Sequence, residues 1–409
     1  MRLLAVLCLC AALALPCAAA AQPLPAATLP PGLPATVGAP QAVLPQRLYA
    51  PDARTLTWAA CWGEDAVVSG QRVLADASLC DALWHVELST GVWTLLYEAR
   101  RGVQILTPVY CAGTLYWAEG HEDQPDGWYI RRWDAQKRRA VLVREDAYRR
   151  SALVPVLHTD GEQVYWYESG EAFAQEPPYQ RLRTTLYALI PGGRPRVVSR
   201  QEMPIDWLPP RIQQGTYAAS GYEDGQWRVR VTDARSGLTV AEAQVSAMPM
   251  DARSDGRYAV WRQGVAWDEA MLSVPDAQDE AELARQAHAE EDWTPGGDPA
   301  GGGMGGQLWL WDLEAEGAEP VRIDVQADAL TLCAEGVYYV TESHVLCLYS
   351  FSLGRVLRLT PHADYLPTLW AAGDRLLTLR AMDDGQEQTY RLAVLDVRAL
   401  QAAGWPPLQ

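Results

Sequence analysis

The side chains that most often carry chemistry are few and scattered in this chain. None of its six histidines has a second metal-ligand candidate at a useful spacing. The glycines of 301–306 follow no strand signal and precede no Lys-Ser/Thr pair, so they do not form a phosphate-binding loop. We therefore expect no catalytic residue set, no metal and no cofactor.

The cysteines do not form the framework of a disulfide-rich domain. Three of the eight fall in the first 21 residues, which leaves an odd and widely spaced set: Cys61, Cys80, Cys111, Cys333 and Cys347. The spacing leaves the pairing among these five undetermined, and burial as small apolar residues is the simplest interpretation.

One basic cluster stands out in a chain whose formal net charge is −17. It consists of Arg131, Arg132, Lys137, Arg138 and Arg139. We interpret it as a docking patch for an acidic partner, and the alternative is a set of arginines that protects an exposed edge strand. The acidic balance of the whole chain excludes general binding to nucleic acid.

The first 21 residues predict a secretory signal peptide. Arg2 precedes an apolar stretch, 3–15, that is too short to span a bilayer, and small residues at 18–21 offer a cleavage site. We expect an extracytoplasmic protein that is secreted, periplasmic or held in the cell envelope. Cys17 is an alternative site for a lipid anchor. No later segment is apolar enough to predict a transmembrane helix.

Residues 22–45 are rich in proline and alanine and predict a stiff linker without a core of its own. The globular part spans 46–400, and a short tail, 401–409, follows it. An acidic and then glycine-rich insertion at 263–306 interrupts the globular part.

A repeating unit organises the globular part. Each unit has a glycine followed by an apolar or aromatic run, at Gly63, Gly113, Gly161, Gly215, Gly256, Gly336 and Gly373. The spacings are 50, 48, 54, 41, 80 and 37 residues, and the insertion accounts for the longest of them. Strand-type repeats of about 40–50 residues are typical of propeller blades.

Each unit contains signals for four strands. A short proline-containing segment precedes the glycine, as in Thr107-Pro108-Val109, and alternating strands follow it, as in 227–231. Asp-Gly pairs such as Asp224-Gly225 predict tight hairpins. The sequence therefore predicts an all-β fold, a seven-bladed β-propeller with four antiparallel strands per blade, with six or eight blades as alternatives.

The last repeat lacks a convincing fourth strand. We expect residues 46–49 to supply it from the other end of the chain and so close the ring.

The segment Ala252-Arg-Ser-Asp-Gly-Arg-Tyr-Ala-Val-Trp261 resembles the Ser-Pro-Asp-Gly-Lys-x-Ile-Ala motif of TolB-like, WD40-like propeller repeats. Residues 158–166 resemble it more loosely. The resemblance covers the repeat form of most of 46–400 and implies the fold rather than an activity.

Propellers usually bind ligands at the face where the links between blades surround the channel. The candidates for such a site are Tyr148, Arg149, Arg150, Asp206, Trp207, Asp328, His362, Asp364 and Tyr365, with Trp267 and Trp293 from the insertion. We expect an exported, non-catalytic propeller that binds a protein, a peptide or a glycan. The alternative is a propeller enzyme, a glycan lyase or hydrolase with paired carboxylates at the channel mouth.

Overall fold

The structure of the protein is a computed structural model. It describes residues 46–49, 53–72, 80–100, 102–121, 127–146, 154–176, 179–204, 211–263, 306–315, 317–333, 335–341, 343–359, 365–372, 375–383 and 388–396. Every regular element in these ranges is a β-strand, and no helix in them could cross a bilayer.

The strands form seven blades in chain order. Blade 1 has β2 (Ala53–Trp62), β3 (Asp65–Arg72), β4 (Ala82–Glu87) and β5 (Val92–Glu98). Blade 2 has β6 (Val103–Cys111), β7 (Thr114–His121), β8 (Trp128–Asp134) and β9 (Arg139–Glu145). Blade 3 has β10 (Leu157–Thr159), β11 (Val164–Glu176), β12 (Tyr179–Leu189) and β13 (Arg196–Pro204). Blade 4 has β14 (Arg211–Ile212), β15 (Thr216–Glu223), β16 (Gln226–Asp233) and β17 (Thr239–Val245).

The other three blades follow the same plan. Blade 5 has β18 (Pro249–Ser254), β19 (Tyr258–Gln263), β20 (Gly306–Asp312) and β21 (Val321–Ala327). Blade 6 has β22 (Ala329–Cys333), β23 (Gly336–Val340), β24 (Leu346–Ser350) and β25 (Arg355–Arg358). Blade 7 has β26 (Tyr365–Ala372), β27 (Arg375–Asp383) and β28 (Gln388–Asp396), and β1 (Gln46–Tyr49) completes it. The predicted seven-bladed propeller is confirmed.

Five of the repeat glycines form the turns between the first and second strands of their blades. Gly63, Gly113, Gly161, Gly215 and Gly256 all have positive φ angles, between 52° and 93°, which glycine adopts without steric cost. The aromatic run that follows each glycine lies on the second strand. Its largest side chains are fully buried, among them Trp117, Trp166, Trp261 and Tyr338.

The hydrophobic core is divided among the blade interfaces. In the part of the chain that the structure describes, seven apolar clusters form, and each joins two neighbouring blades. Leu56 and Val68 of blade 1, for example, share one cluster with Leu377 and Leu392 of blade 7. A single blade therefore buries its two faces only against its neighbours, as in other repeat architectures.

The ring closes through β1, as the sequence predicts. Its residues pair antiparallel with β28, from Gln46 opposite Leu395 to Tyr49 opposite Leu392. The sheet order is β1-β28-β27-β26, so the N-terminal strand is the outermost strand of the last blade. The pairing removes an edge that would otherwise be open.

Blade 4 departs from the predicted four antiparallel strands. Its first strand, β14, has two residues and touches β15 only through one antiparallel bridge, Gln213 to Thr216. It pairs in parallel with β18 of blade 5, where Arg211 lies opposite Arg253. The physical reason is a tight turn at Gln214 and Gly215, which both have positive φ. Because this turn comes directly after β14, few residues of the first strand can pair with β15.

Two of the described inner strands carry bulges at their prolines. Thr107 and Pro108 together lie opposite the single residue Trp117, because Leu106 pairs with Ala118 and Val109 with Tyr116. A second irregularity in blade 7 spans Pro367. Proline has no N–H to give to a ladder, so a bulge on the strand next to the axis accommodates it.

Candidate functional site: the central channel

The first strands of all seven blades converge on one cavity at the axis of the ring. Its volume is about 210 Å³, and it opens to solvent. Its walls are Trp58–Cys61 of blade 1, Thr107–Tyr110 of blade 2, Val156–Thr159 of blade 3, Arg211–Gln213 of blade 4, Arg253 of blade 5, Thr331 of blade 6, and Leu369–Ala371 with Leu377 of blade 7. This cavity is the central channel.

Two arginines stand side by side in the channel wall. Arg211 and Arg253 are directly paired residues on the parallel strands β14 and β18. Paired residues on neighbouring strands place their side chains on one face of the sheet, at the closest spacing that the sheet allows. Both line the channel. The topology thus brings two guanidinium groups together from positions one blade apart in sequence.

The two arginines differ in their partners. Arg253 donates from Nη2 to Oδ1 of Asp251 at 2.8 Å, and both side chains are only 5% exposed. Arg211 donates from Nη1 to the carbonyl oxygen of Leu369 at 3.4 Å. Leu369 belongs to blade 7, so this side chain reaches across the channel. The contact is long and neutral, and it leaves the charge of Arg211 without a direct ion pair among the described residues.

The pKa values of the two arginines show that burial disfavours their charged forms. Burial, and after it the charge of Arg253, lowers the pKa of Arg211 to about 9. Burial also lowers the pKa of Arg253, an effect that Asp251 opposes and the charge of Arg262 reinforces. Because a guanidinium group stays protonated in proteins, the two arginines bring two positive charges against the one carboxylate of Asp251.

His158 of blade 3 is a neutral member of the same wall. Burial, and after it the charges of Arg211 and Arg253, lower its pKa to about 3. It therefore cannot serve as a proton carrier near neutral pH. Its Nε2 atom and Nε of Arg253 are buried and make no hydrogen bond within the described ranges.

Strained backbone supports the wall at two bulges. Thr107 has φ 39° and Asp251 has φ 50°. A positive φ is rare for a β-branched residue such as threonine and easier for aspartate. Thr107 accepts a hydrogen bond at Oγ1 from the amide of Leu157 at 2.9 Å, which ties blade 2 to blade 3. Such strain concentrates at functional positions in many proteins.

The structure describes only two of the binding residues expected from the sequence. Asp328 lies in the link between β21 and β22, half-buried, and its amide donates to the carbonyl oxygen of Val340 at 2.8 Å. Tyr365 begins β26, opposite Arg380. The others, Tyr148, Arg149, Arg150, Asp206, Trp207, His362, Asp364, Trp267 and Trp293, lie outside the described residues.

The basic docking patch maps to the hairpin of β8 and β9. Arg131 donates from Nε to Oε2 of the buried Glu119 at 2.6 Å, and Lys137 lies 3.9 Å from Asp134. Arg132 is half-buried, whereas Arg138 and Arg139 are exposed. The freely presented charge of the patch is therefore concentrated at the hairpin tip.

The five cysteines are all free thiols. Burial raises the pKa of Cys61 to about 12 and that of Cys347 to about 11, so these thiols are poor nucleophiles at neutral pH. Within the described ranges, no group of three histidine, cysteine, aspartate or glutamate side chains converges as it would around a metal ion.

Sequence reasoning missed the arginine pair. The signal that could have found it is the position of polar residues relative to the repeat glycine. His158 and Arg253 lie three residues before their glycines, and Arg211 lies four before Gly215, where other repeats have apolar residues such as Val109. Charged residues on the strand next to the axis must face either a blade or the channel.

No protein-family model matches the chain, and no curated protein matches it. Several solved structures are similar in fold. An acylaminoacyl peptidase from Pyrococcus horikoshii has a TM-score of 0.52 at 12% identity over 87% of this chain and 54% of the peptidase. This chain thus spans about half the length of the acylaminoacyl peptidases that it matches.

Two further structures match over nearly their whole length. The β-propeller domain of the Trilobed protease from Pyrococcus furiosus, described as having an open velcro topology, has a TM-score of 0.50 at 12% identity over 85% of this chain and 95% of that one. An oligogalacturonate lyase in complex with manganese has a TM-score of 0.50 at 12% identity over 87% and 98%. Likeness at this level of identity shows that the chain has a β-propeller fold, and shows no activity.

Proposed function

We propose that this protein is an exported, non-catalytic β-propeller that binds a protein, peptide or glycan partner outside the cytoplasm, and that the partner enters the central channel. The observation that carries the proposal is the channel itself. Seven inner strands enclose one open cavity, and Arg211 and Arg253 are the charged residues of its described wall. A cavity of this kind is the default binding site of a fold with a single axis.

The chemistry of the described wall favours binding over catalysis. The Cys61 thiol has a pKa of about 12, His158 stays neutral, and the carboxylate next to the arginines, Asp251, is held in an ion pair. Catalysis by paired carboxylates would need two acids with room for a sugar between them. Of the three aspartates expected at the mouth, only Asp328 lies among the described residues.

Binding is tested on peptide and glycan arrays with the purified mature protein. Ala60→Trp places a large side chain in the channel wall, and Thr90→Trp makes a comparable change in the exposed turn between β4 and β5. We expect bound probes to be lost with Ala60→Trp and kept with Thr90→Trp. Loss with the charge reversals Arg138→Glu and Arg139→Glu instead would move the site to the basic docking patch and contradict the channel.

Catalysis and export are tested separately. Array ligands are incubated with the protein and analysed by mass spectrometry, and any turnover would contradict a non-catalytic role. For export, the full chain is produced in a bacterial host and its mature N-terminus is sequenced. We expect a start at position 21 or 22. A Cys17→Ala variant that alters membrane retention would show that Cys17 carries a lipid instead.

A further inference from the structure

The charges in the channel do not balance. Arg211 and Arg253 supply two positive charges to its wall, and Asp251 supplies the one carboxylate that bonds to either of them in the described ranges. Arg253 is buried and Arg211 half-buried, and an unmatched charge is expensive to hold away from bulk water. A protein of net charge −17 thus keeps an excess positive charge at its axis, where an anion would compensate it.

Some polar atoms of the wall residues are also incompletely paired. Nε of Arg253 and Nε2 of His158 are buried without a hydrogen-bond partner among the described residues, and the two side chains are in residues only 4% and 6% exposed. Both atoms are fully covered by protein, so what the wall presents to an anion is chiefly the guanidinium charge of its two arginines. Arg211 adds a guanidinium whose contact is the long bond to Leu369.

Three other polar side chains of the wall are already hydrogen-bonded within the protein. Thr107 accepts from the amide of Leu157, Thr159 donates to the carbonyl oxygen of Gln163, and Gln213 donates to the carbonyl oxygen of Leu332. Few side-chain groups are left for the many hydroxyls of a sugar. The rest of the wall is largely apolar, with Trp58 and Trp370 among its members.

The size of the cavity sets a further limit. Its volume of about 210 Å³ is below the range of roughly 300–1,000 Å³ that is usual for pockets that enclose a whole small molecule. It has room for one side chain or one chain end. An anionic group on an apolar stem fits both the size and the wall chemistry.

We propose that Arg211 and Arg253 form a clamp for one carboxylate of an acidic peptide, carried by a Glu or Asp side chain or by the free C-terminus. The proposal rests on the proposed binding function and specifies its ligand. Arginine forks match carboxylates in a bidentate way, and two of them on adjacent strands can approach both oxygens. Asp251 holds Arg253 in place and competes with the ligand for its charge.

The test uses calorimetry on the full mature protein with matched peptide probes. The first probe is a hexapeptide with one internal Glu and an amidated end, the second has Gln in its place, and the third is the Gln peptide with a free C-terminus. A charge-assisted bond is worth a factor of about ten or more in affinity. We expect the Glu peptide or the free-acid peptide to bind at least tenfold more tightly than the neutral one, and the comparison shows which source of the carboxylate the clamp prefers.

Two substitutions in the clamp should change the affinity for the acidic peptide in opposite directions. Arg211→Gln should weaken acid binding about tenfold or more, whereas Asp251→Asn, which frees Arg253 from its counter-charge, should strengthen it. Asparagine tolerates the positive φ at position 251, so the backbone need not change. Arg355→Gln, at an exposed position of β25, is the matched control and should leave binding unchanged. A structural role alone would not make the two channel variants move in opposite directions.

Other outcomes overturn the proposal. Inorganic phosphate or trigalacturonate binding more tightly than either acidic peptide would assign the channel to another anion. No discrimination between Glu and Gln peptides up to about 10 mM would exclude the clamp. If an uncharged array ligand is nevertheless lost with Ala60→Trp, the clamp fails while the binding function of the channel stands.

Discussion

Arg211 and Arg253 face each other across two parallel strands, although like charges at directly opposed positions destabilise a sheet. Only Arg253 has a carboxylate partner, Asp251, among the described residues. The pair is therefore better explained by what it can bind than by what it adds to stability. The effect of the pair on binding and its effect on folding stability can be measured separately.

Replacing Arg211 with methionine should stabilise the fold. The change removes a half-buried charge that has no direct ion pair among the described residues and keeps a long side chain, so we expect a gain of about 1 kcal/mol in the free energy of unfolding. Chemical denaturation measures it. Arg131→Met is the control and should destabilise the protein, because it leaves the buried Glu119 without its guanidinium partner. A loss of stability with Arg211→Met would contradict this account of the channel.

His158 should make the protein sensitive to mild acid. Its pKa is about 3 in the folded chain, below the ordinary value of 6.5 that applies when the chain is unfolded. The unfolded state therefore binds a proton that the folded state refuses, and stability falls as the pH drops from 6.5 toward 3. At pH 5 the loss from this group is about 2 kcal/mol.

The measurement is the free energy of unfolding between pH 7 and pH 5, a window above most carboxylate titrations. His158→Gln should flatten the curve there. Gln214→Asn, which exchanges two side chains that do not titrate at an exposed position with positive φ, should leave the slope as it is. An unchanged slope in the His158 variant would show that another group titrates in this range.

Replacement of Glu119 in blade 2 should cost more folding stability than replacement of a carboxylate near the surface. It accepts from Nε1 of Trp117 at 2.8 Å and from Nε of Arg131 at 2.6 Å, and it is 2% exposed. Breaking one side of a buried ion pair leaves the other charge unmatched, so Glu119→Gln should cost about 2–4 kcal/mol in chemical denaturation. Glu242→Gln removes a partner of Arg228 and Arg230 near the surface and should cost at most about 1 kcal/mol. An equal loss of stability in the two variants would show that burial does not make the ion pair of Glu119 more important than the pairs of Glu242.

The same arrangement recurs in blade 3. Trp166 donates to Glu168 at 3.0 Å, and Arg144 of blade 2 bonds the same carboxylate at 2.8 Å from Nη2 while it stacks on Tyr187. A Tyr-Trp-x-Glu pattern on the second strand thus marks a tryptophan whose indole is satisfied by its own strand.

Removal of β1 should open the ring. Deleting Gln46–Tyr49 exposes the edge of β28, so we expect a lower unfolding midpoint and self-association, measured by denaturation and light scattering. Deletion of residues 42–45, the same length of chain just before β1, is the control. A monomer with an unchanged midpoint after loss of β1 would mean that the strand pairing contributes little to the closure.

The cysteines should resist alkylation in the folded protein. With a pKa of about 12, Cys61 is a thiolate in roughly one molecule in ten thousand at pH 8. Iodoacetamide followed by mass spectrometry should therefore modify Cys61 and Cys347 rapidly only in denaturant. Rapid modification of Cys61 in the native state would show that the channel lowers its pKa rather than raising it.

The fold was predictable from the sequence because each blade repeats its own local signals. Positive φ at Gly63 or Gly113, burial of Trp117, and the Asp224-Gly225 hairpin all follow from residue type within a few positions. The closing strand was predictable because the last repeat supplies only three of the four strands of a blade. These are local preferences added to a simple rule about edges.

The site was much harder to predict. The pairing of Arg211 with Arg253 depends on the shortness of β14 and on its parallel contact with the next blade, which break the regular pattern. A polar side chain on an inner strand can bind a ligand only if it faces the axis rather than the neighbouring blade. That choice is made by bulges such as the one at Asp251, which shift the register by one residue.

Gln46 at the start of β1 lies opposite Leu395 near the end of β28, so the two ends of the ring are neighbours in space. The blade at which the chain starts could therefore be changed without a change in the order of the blades around the ring. A short link between these ends and a cut elsewhere, for example between Gln263 and Gly306, would give a circular permutant with every blade interface intact.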